Sequence, residues 1–154
     1  TVKQFKPLIA RAYHGEGNTA KAIETLQEAV AADPSAIEVQ VLLGTLLIEA
    51  GRLDEGQKVL SAIDAGKVTD PSVLVNIAIG LINDKKPAEA ITWLDKCIAA
   101  FPADHNAYYY RGISHLSLDN RAAAKAGLEK FVAIAPADAP ELPTAKKILE
   151  TIKT

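Results

Sequence analysis

The side chains that could carry out chemistry in this 154-residue sequence are few and far apart. The histidines, at positions 14, 105 and 115, lack the spacing that would place metal ligands on one helix face. Cys97 is the only cysteine, which excludes an internal disulfide or a multi-cysteine metal site. The sequence also contains no phosphate-binding glycine loop and no nucleophile elbow. We therefore expect a protein without enzymatic activity, without a cofactor and without a metal ion.

The remaining reactive or aromatic groups have simpler explanations. Three consecutive tyrosines, Tyr108 to Tyr110, could stack on nucleic-acid bases. Consecutive helical residues diverge by about 100°, however, so the three rings cannot form one surface. We expect Tyr108 to pack between neighbouring repeats and Tyr109 to face a binding groove. His115 and Cys97 follow apolar positions of the pattern described below, so we interpret both as packed core side chains.

Composition narrows the class of partner. The chain is 49% hydrophobic but only 5% aromatic, and its formal net charge is −2. This balance gives no general attraction to nucleic acid or to an anionic membrane. No apolar run approaches the roughly 18–20 residues of a membrane span. We therefore predict neither nucleic-acid binding nor direct membrane insertion.

The chain repeats itself every 34 residues, which indicates an array of small structural units. Leucine fills all four positions of one series, and only alanine or glycine occurs in two further series. Small residues in two different helices would let those helices approach closely, since a large side chain would overpack the contact. The series are Leu26, Leu60, Leu94 and Leu128; Ala10, Gly44, Ala78 and Gly112; and Ala22, Gly56, Ala90 and Ala124.

Each unit has the pattern of a hairpin of two helices. Asn18, Asp70, Asp104 and Asn120 stand at expected helix starts and are predicted N-caps. In the second repeat, Ser35 and Glu38 form a predicted capping box. Pro7 is predicted to lie near a helix start, where a missing backbone N–H is tolerated. The second repeat should be irregular at its end, where residues 64–66 replace the usual apolar tail.

We predict a single domain over residues 1–154. A last amphipathic helix, without a partner hairpin, would cover the final apolar face of the array. The predicted repeats span residues of about 3–36, 37–70, 71–104 and 105–138, and the capping helix spans about 140–153.

These residues resemble the tetratricopeptide repeat. The resemblance covers residues 3–136 and rests on Tyr13, on the small residues in both helices and on closing prolines; the residues that carry it are Tyr13, Ala22, Gly44, Ala90, Gly112, Ala124, Pro34, Pro102 and Pro136. It departs from the family at four positions, Val68, Lys85, Arg111 and Asp119. The resemblance implies an all-α, right-handed α-solenoid of antiparallel helix hairpins whose leading helices line a concave groove.

A groove-facing side of each leading helix follows if Ile9, Ala10 and Tyr13 face the second helix of their hairpin. Repeating the opposite face of that helix at 34-residue steps gives a set that is mostly aliphatic beyond the first unit. Contiguous apolar surface of this kind often marks a contact site. The competing interpretation is that neighbouring leading helices bury these side chains against one another. The predicted partner-binding residues are Arg11, His14, Val41, Thr45, Ile48, Val75, Ile79, Ile82, Tyr109, Ile113 and Leu116.

The function indicated is a non-enzymatic protein–protein interaction scaffold that binds a hydrophobic or amphipathic peptide or helical segment in this groove. One subfamily grips a C-terminal carboxylate with basic and amide side chains, but that basic clamp is missing, because the corresponding positions hold Pro7, Arg11, Leu42, Ser72 and Asn76. Two alternatives remain open: a self-association module that forms homo-oligomers, and a spacer domain of a larger multidomain protein.

Overall fold

The computed structural model describes residues 2–152, with side chains from Phe5 onward. The described residues form nine α-helices and one 3₁₀ helix, and they contain no strand. The predicted all-α fold of helix hairpins is therefore confirmed. The helices are α1 (Val2–Gly15), α2 (Thr19–Ala32), α3 (Ile37–Glu49), α4 (Leu53–Ser61), the 3₁₀ helix η1 (Ala65–Lys67), α5 (Pro71–Asn83), α6 (Pro87–Ala100), α7 (His105–Ser117), α8 (Arg121–Ile134) and α9 (Leu142–Thr151).

The four hairpin turns share one backbone geometry at 34-residue intervals. Two residues after each leading helix, φ is positive: 79° at Gly17, 79° at Gly51, 61° at Lys85 and 57° at Asp119. The next residue then donates its N–H to a carbonyl five residues back, as in Asn18 to Tyr13 at 2.8 Å and Asn120 to His115 at 2.9 Å. This is a Schellman ending, which satisfies carbonyls that the end of a helix leaves unpaired. Glycine adopts the required conformation without strain, whereas lysine and aspartate do not.

The predicted helix starts are largely observed. Asn18, Asp70, Asp104 and Asn120 each accept a backbone N–H of the first turn through the side chain. The predicted capping box is wrong: α3 is capped by Ala36 without a side-chain bond. Pro7 also lies inside α1, further from its start than predicted.

The two series of small residues lie where the helices of a hairpin touch. A Cβ atom on Gly44 would lie 2.5 Å from the Leu60 side chain, and one on Gly56 would lie 2.8 Å from the Gly44 carbonyl oxygen. A Cβ on Gly112 would likewise meet Leu128 Cγ at 2.9 Å. These distances are too short for real Cβ contacts, so the repeat keeps these sites small to let the helix backbones approach.

The second repeat departs from the others at its end, as expected. Its second helix, α4, has 9 residues where α2, α6 and α8 each have 14. The chain then forms the short 3₁₀ helix before α5 begins. The chain divides into two compact units at this place, the first ending at Asp64 and the second beginning at Ala65.

Each unit buries an aliphatic or aromatic core of its own. In the first unit, α1, α2 and α3 contribute Ala10, Ala22, Ile23, Leu26, Leu43, Leu46 and Leu47. In the second unit, α9 packs on α8, and Leu142, Ala145 and Ile152, the residue after α9, join a cluster built around Leu128 and Phe131. The last hairpin is therefore covered by an amphipathic helix that belongs to no pair of its own.

Candidate functional site

In the first unit, the predicted groove residues differ in their surroundings. Arg11, His14 and Thr45 are exposed, whereas Val41 and Ile48 are half-buried. His14 Nε2 lies 3.6 Å from Glu49 Oε2, which places α1 beside the end of α3. The side chain of Ile48 lies against Gly56 of α4, so part of it packs inside its own hairpin.

The assumption used to orient α1 was only partly right. Ala10 is buried as expected, but Ile9 is 44% exposed although it was placed on the face that contacts the second helix. Phe5 and Leu8 are also exposed, by 58% and 60%. One side of α1 therefore presents apolar side chains that its hairpin leaves uncovered.

In the second unit, two predicted groove residues are buried. Val75 and Tyr109 are 5% and 9% exposed, and Ile79, Ile82, Ile113 and Leu116 are half-buried. The Tyr109 ring packs on Phe131, with ring centroids 5.1 Å apart, and Ile113 and Leu116 pack against the same core cluster. On α7 these side chains are therefore covered by α8 and α9, and not by a neighbouring leading helix as the competing interpretation supposed. A binding role for the remaining positions stays a prediction.

A cavity of about 340 Å³ lies between the amino-terminal parts of α5 and α7 and the start of α9. The predicted residues Val75 and Ile79 line it, together with Tyr110 of α7. Its polar lining consists of Asp70, Ser72, Asn76, Asp104, Asn106 and Glu141. The lining thus combines three apolar or aromatic side chains, which we call the apolar floor, with hydroxyl, amide and carboxylate groups.

The sequence prediction missed part of this lining although a periodic signal was present. Asn106 and Tyr110 follow Ser72 and Asn76 by one repeat of 34 residues, and all four line the cavity. On α7 it is Tyr110 that lines the cavity, whereas Tyr109, which was predicted to face the groove, packs on Phe131. Glu141 lies outside the repeats, so the period gave no signal for it.

The cavity is lined by acidic side chains, Asp70, Asp104 and Glu141. The pKa of Asp70 is lowered because its carboxylate accepts hydrogen bonds from Ser72, so it is anionic at neutral pH. Burial raises the pKa of the Tyr110 hydroxyl, and the neighbouring charge of Glu141 raises it further. Both effects keep the phenol protonated, which makes it a hydrogen-bond donor at the cavity wall.

The groups that might have supported chemistry do not line this cavity, although Cys97 Sγ lies 3.8 Å from the carbonyl oxygen of the lining residue Pro71. Cys97 is completely buried, and burial raises the pKa of its thiol to about 11. His115 has its pKa lowered by burial and by Arg111, while Asp95 acts in the opposite direction. Within residues 2–152, no group of three or more His, Cys, Asp or Glu side chains is arranged to hold a metal ion. Over the same part of the chain, no helix combines the length and apolarity that crossing a membrane requires.

Comparison with protein families identifies the repeats. Two family models, both described as tetratricopeptide repeat, match residues 13–74 and residues 106–137. None of the curated proteins compared with the chain matches it. The matched ranges contain three of the four repeat leucines, Leu26, Leu60 and Leu128, whereas Leu94 lies between the two ranges.

Several solved structures share the fold at low sequence identity. A tetratricopeptide repeat protein from Parabacteroides merdae ATCC 43184 is 20% identical, covering 98% of this chain and 60% of that one, with a TM-score of 0.77. MamA (41-end) from Desulfovibrio magneticus RS-1 is 19% identical, covering 97% and 82%, with a TM-score of 0.70. PilW, described as a type IV pilus biogenesis factor, is 21% identical, covering 99% and 69%, with a TM-score of 0.68. At these identities the similarity shows the fold alone.

Proposed function

Because this chain belongs to the tetratricopeptide repeat family, we propose that it is a protein-interaction scaffold that holds a segment of another protein against its leading helices. The scaffold has no catalytic chemistry of its own. The bound segment lies along the second unit, over α5 and α7, and contributes at least one side chain to the cavity between them.

The cavity at α5 and α7 is the observation that carries this proposal. Val75, Ile79 and Tyr110 give it an apolar floor, and Asn76 stands exposed at its edge. A concave site that combines apolar surface with polar groups able to fix orientation can take one side chain or a small ligand. Of the two kinds of segment predicted from the sequence, hydrophobic or amphipathic, the polar residues of the lining favour the amphipathic one.

A random 12-residue peptide library displayed on phage provides the test. Peptides selected on the wild-type protein are synthesised with a fluorescent label, and their affinities are measured by fluorescence anisotropy. Asn76→Tyr places a bulky ring at the edge of the cavity, so we expect it to weaken binding at least about tenfold, a loss of roughly 1.4 kcal/mol. The matched control is Asn83→Tyr, which alters an exposed asparagine of the same helix outside the cavity.

Two results would overturn the proposal. The first is that no peptide sequence is enriched on the wild-type protein. The second is that enriched peptides bind Asn76→Tyr and Asn83→Tyr with the same affinity as the wild type, while circular dichroism shows both variants to be folded.

Self-association is a second candidate function, favoured by the uncovered apolar side of α1. Phe5, Leu8 and Ile9 are all more than two-fifths exposed, and a second copy of the chain could bury them. Light scattering across a dilution series would then detect dimers of the wild type that Leu8→Glu abolishes. A wild type that remains monomeric at every concentration would remove this candidate.

A further inference from the structure

Three carboxylates from different parts of the chain line the cavity between α5 and α7. Asp70 and Asp104 precede α5 and α7, and Glu141 precedes α9. None of the described residues that line the cavity is lysine, arginine or histidine. An occupant would therefore meet negative charge without a compensating cation from the cavity wall.

The helix ends do not cancel this charge. An α-helix carries roughly half a positive elementary charge at its amino terminus, so the starts of α5, α7 and α9 together contribute about +1.5. Three carboxylates contribute −3, which leaves the cavity clearly negative. The carboxylates are also not all used in capping. One oxygen of Asp104 accepts the Ala107 N–H at 3.1 Å, and Glu141 makes no side-chain capping bond.

The cavity also has the volume and the mixed lining that a long side chain with a charged end requires. Its volume of about 340 Å³ is at the small end of ligand pockets. Val75, Ile79 and the Tyr110 ring offer apolar surface in the same cavity as the carboxylates. Lysine and arginine bury their methylene stems against such surface while the charged group stays among polar partners.

We propose that this cavity accepts a lysine or arginine side chain from the protein segment that the scaffold binds. The inference rests on the proposed function, because it names the chemistry of the segment held at the same site. The apolar floor holds the methylene stem, and the cationic group pairs with Glu141 and with the capping carboxylates of Asp70 and Asp104. The partner segment is thus an amphipathic one with a basic residue at the position that enters the cavity.

The test uses the labelled peptides obtained from the phage selection. Glu141→Gln removes one charge and leaves the capping residues in place, so we expect it to weaken binding roughly fivefold at low ionic strength. Asp70→Asn also removes one charge, and asparagine caps a helix as well as aspartate does, so the helix start is preserved. Glu150→Gln is the matched control. Glu150 is exposed near the carboxyl end of α9, whose amino end is capped by Glu141, and it does not line the cavity.

A double-mutant cycle assigns the interaction to the cationic side chain. Each lysine or arginine of the peptide is replaced in turn by glutamine, and one such replacement should weaken binding to the wild-type protein. Against that peptide, Glu141→Gln should have no further effect, because the pair that it breaks is already absent. Added salt should weaken the wild-type complex more than the complex with Glu141→Gln.

The outcomes separate this inference from the proposed function. Selected peptides that bind at the cavity, shown by their loss on Asn76→Tyr, but that tolerate glutamine at every basic position would overturn the inference alone. Equal affinity for the wild type, Glu141→Gln and Asp70→Asn would do the same. Peptides that bind Asn76→Tyr as tightly as the wild type would overturn both the inference and the proposed function.

Discussion

The Cys97 thiol is a residue whose reactivity follows directly from its burial. It is completely buried, its Sγ lies 3.8 Å from the Pro71 carbonyl oxygen, and its pKa of about 11 leaves on the order of one thiol in a thousand ionised near pH 8. We expect the folded protein to react with a disulfide reagent such as DTNB only as fast as the second unit opens. Stopped-flow labelling with and without denaturant measures this. Rapid labelling of the native protein would contradict it.

Lys85 is a residue that is strained by its place in the repeat. It occupies the positive-φ position where Gly17 and Gly51 stand in the first two hairpins. A residue with a Cβ atom is destabilised by about 1–2 kcal/mol in this conformation. Glycine avoids that steric cost, but on folding it loses more chain entropy than other residues, which costs about 0.5–1 kcal/mol. We expect Lys85→Gly to raise the free energy of unfolding by about 0.5–1 kcal/mol in urea denaturation.

The control for this substitution is Lys85→Ala, which removes the same exposed side chain but keeps a Cβ atom. It should leave the free energy of unfolding unchanged or slightly lower. Equal stabilisation by glycine and alanine would show that loss of the lysine side chain, and not relief of backbone strain, is responsible.

The hairpin is the element in which glycine has opposite effects at two positions. A Cβ on Gly56 would lie 2.8 Å from the Gly44 carbonyl oxygen, which is backbone and cannot move cheaply. A Cβ on Gly80, within α5, would meet no atom within 4 Å. We expect Gly56→Ala to lower the free energy of unfolding by about 1–3 kcal/mol through overpacking. Gly80→Ala should raise it by about 0.5–1 kcal/mol, because alanine favours the helix.

Thermal and urea denaturation of the two variants provide the comparison. Each variant adds the same methyl group to a helix, so each serves as the control for the other. A stabilising Gly56→Ala would contradict the close helix approach inferred from the repeat.

The elements could be predicted from the sequence to the extent that local signals define them. Asn18, Asp70, Asp104 and Asn120 were recognised as caps because a short polar side chain preceded each helical pattern. The capping box failed for a local reason as well. Ser35 Oγ donates to Asp33 Oδ1 at 2.6 Å instead of capping α3, and the sequence offered both partners.

The candidate site shows where periodicity stops being informative. A period of 34 residues fixes which positions are equivalent, but not how a helix is rotated about its axis by one residue. Tyr109 and Tyr110 were therefore interchangeable from the sequence, and packing of Tyr109 on Phe131 decides between them. Glu141 comes from the helix after the last repeat, so only the packing of α9 on α8 brings it to the cavity.

At the scale of the whole molecule, the chain has two compact units with separate hydrophobic cores, and this division has a measurable consequence. Leu26 and Leu128 are equivalent residues of the repeat, and both are completely buried. Leu26 belongs to the core of the first unit and Leu128 to the core of the second. In repeat proteins, stability is carried by each unit and its nearest neighbours. Truncating either leucine should therefore loosen its own unit first.

We expect Leu26→Ala and Leu128→Ala each to lower the free energy of unfolding by about 2–5 kcal/mol, because each leaves a cavity in a closed core. Hydrogen exchange followed by mass spectrometry should then show faster exchange mainly in α1–α4 for Leu26→Ala and mainly in α5–α9 for Leu128→Ala. The two variants control for each other, since the substitution and the repeat position are the same. Uniform acceleration along the chain in both variants would contradict a division of the core at Asp64 and Ala65.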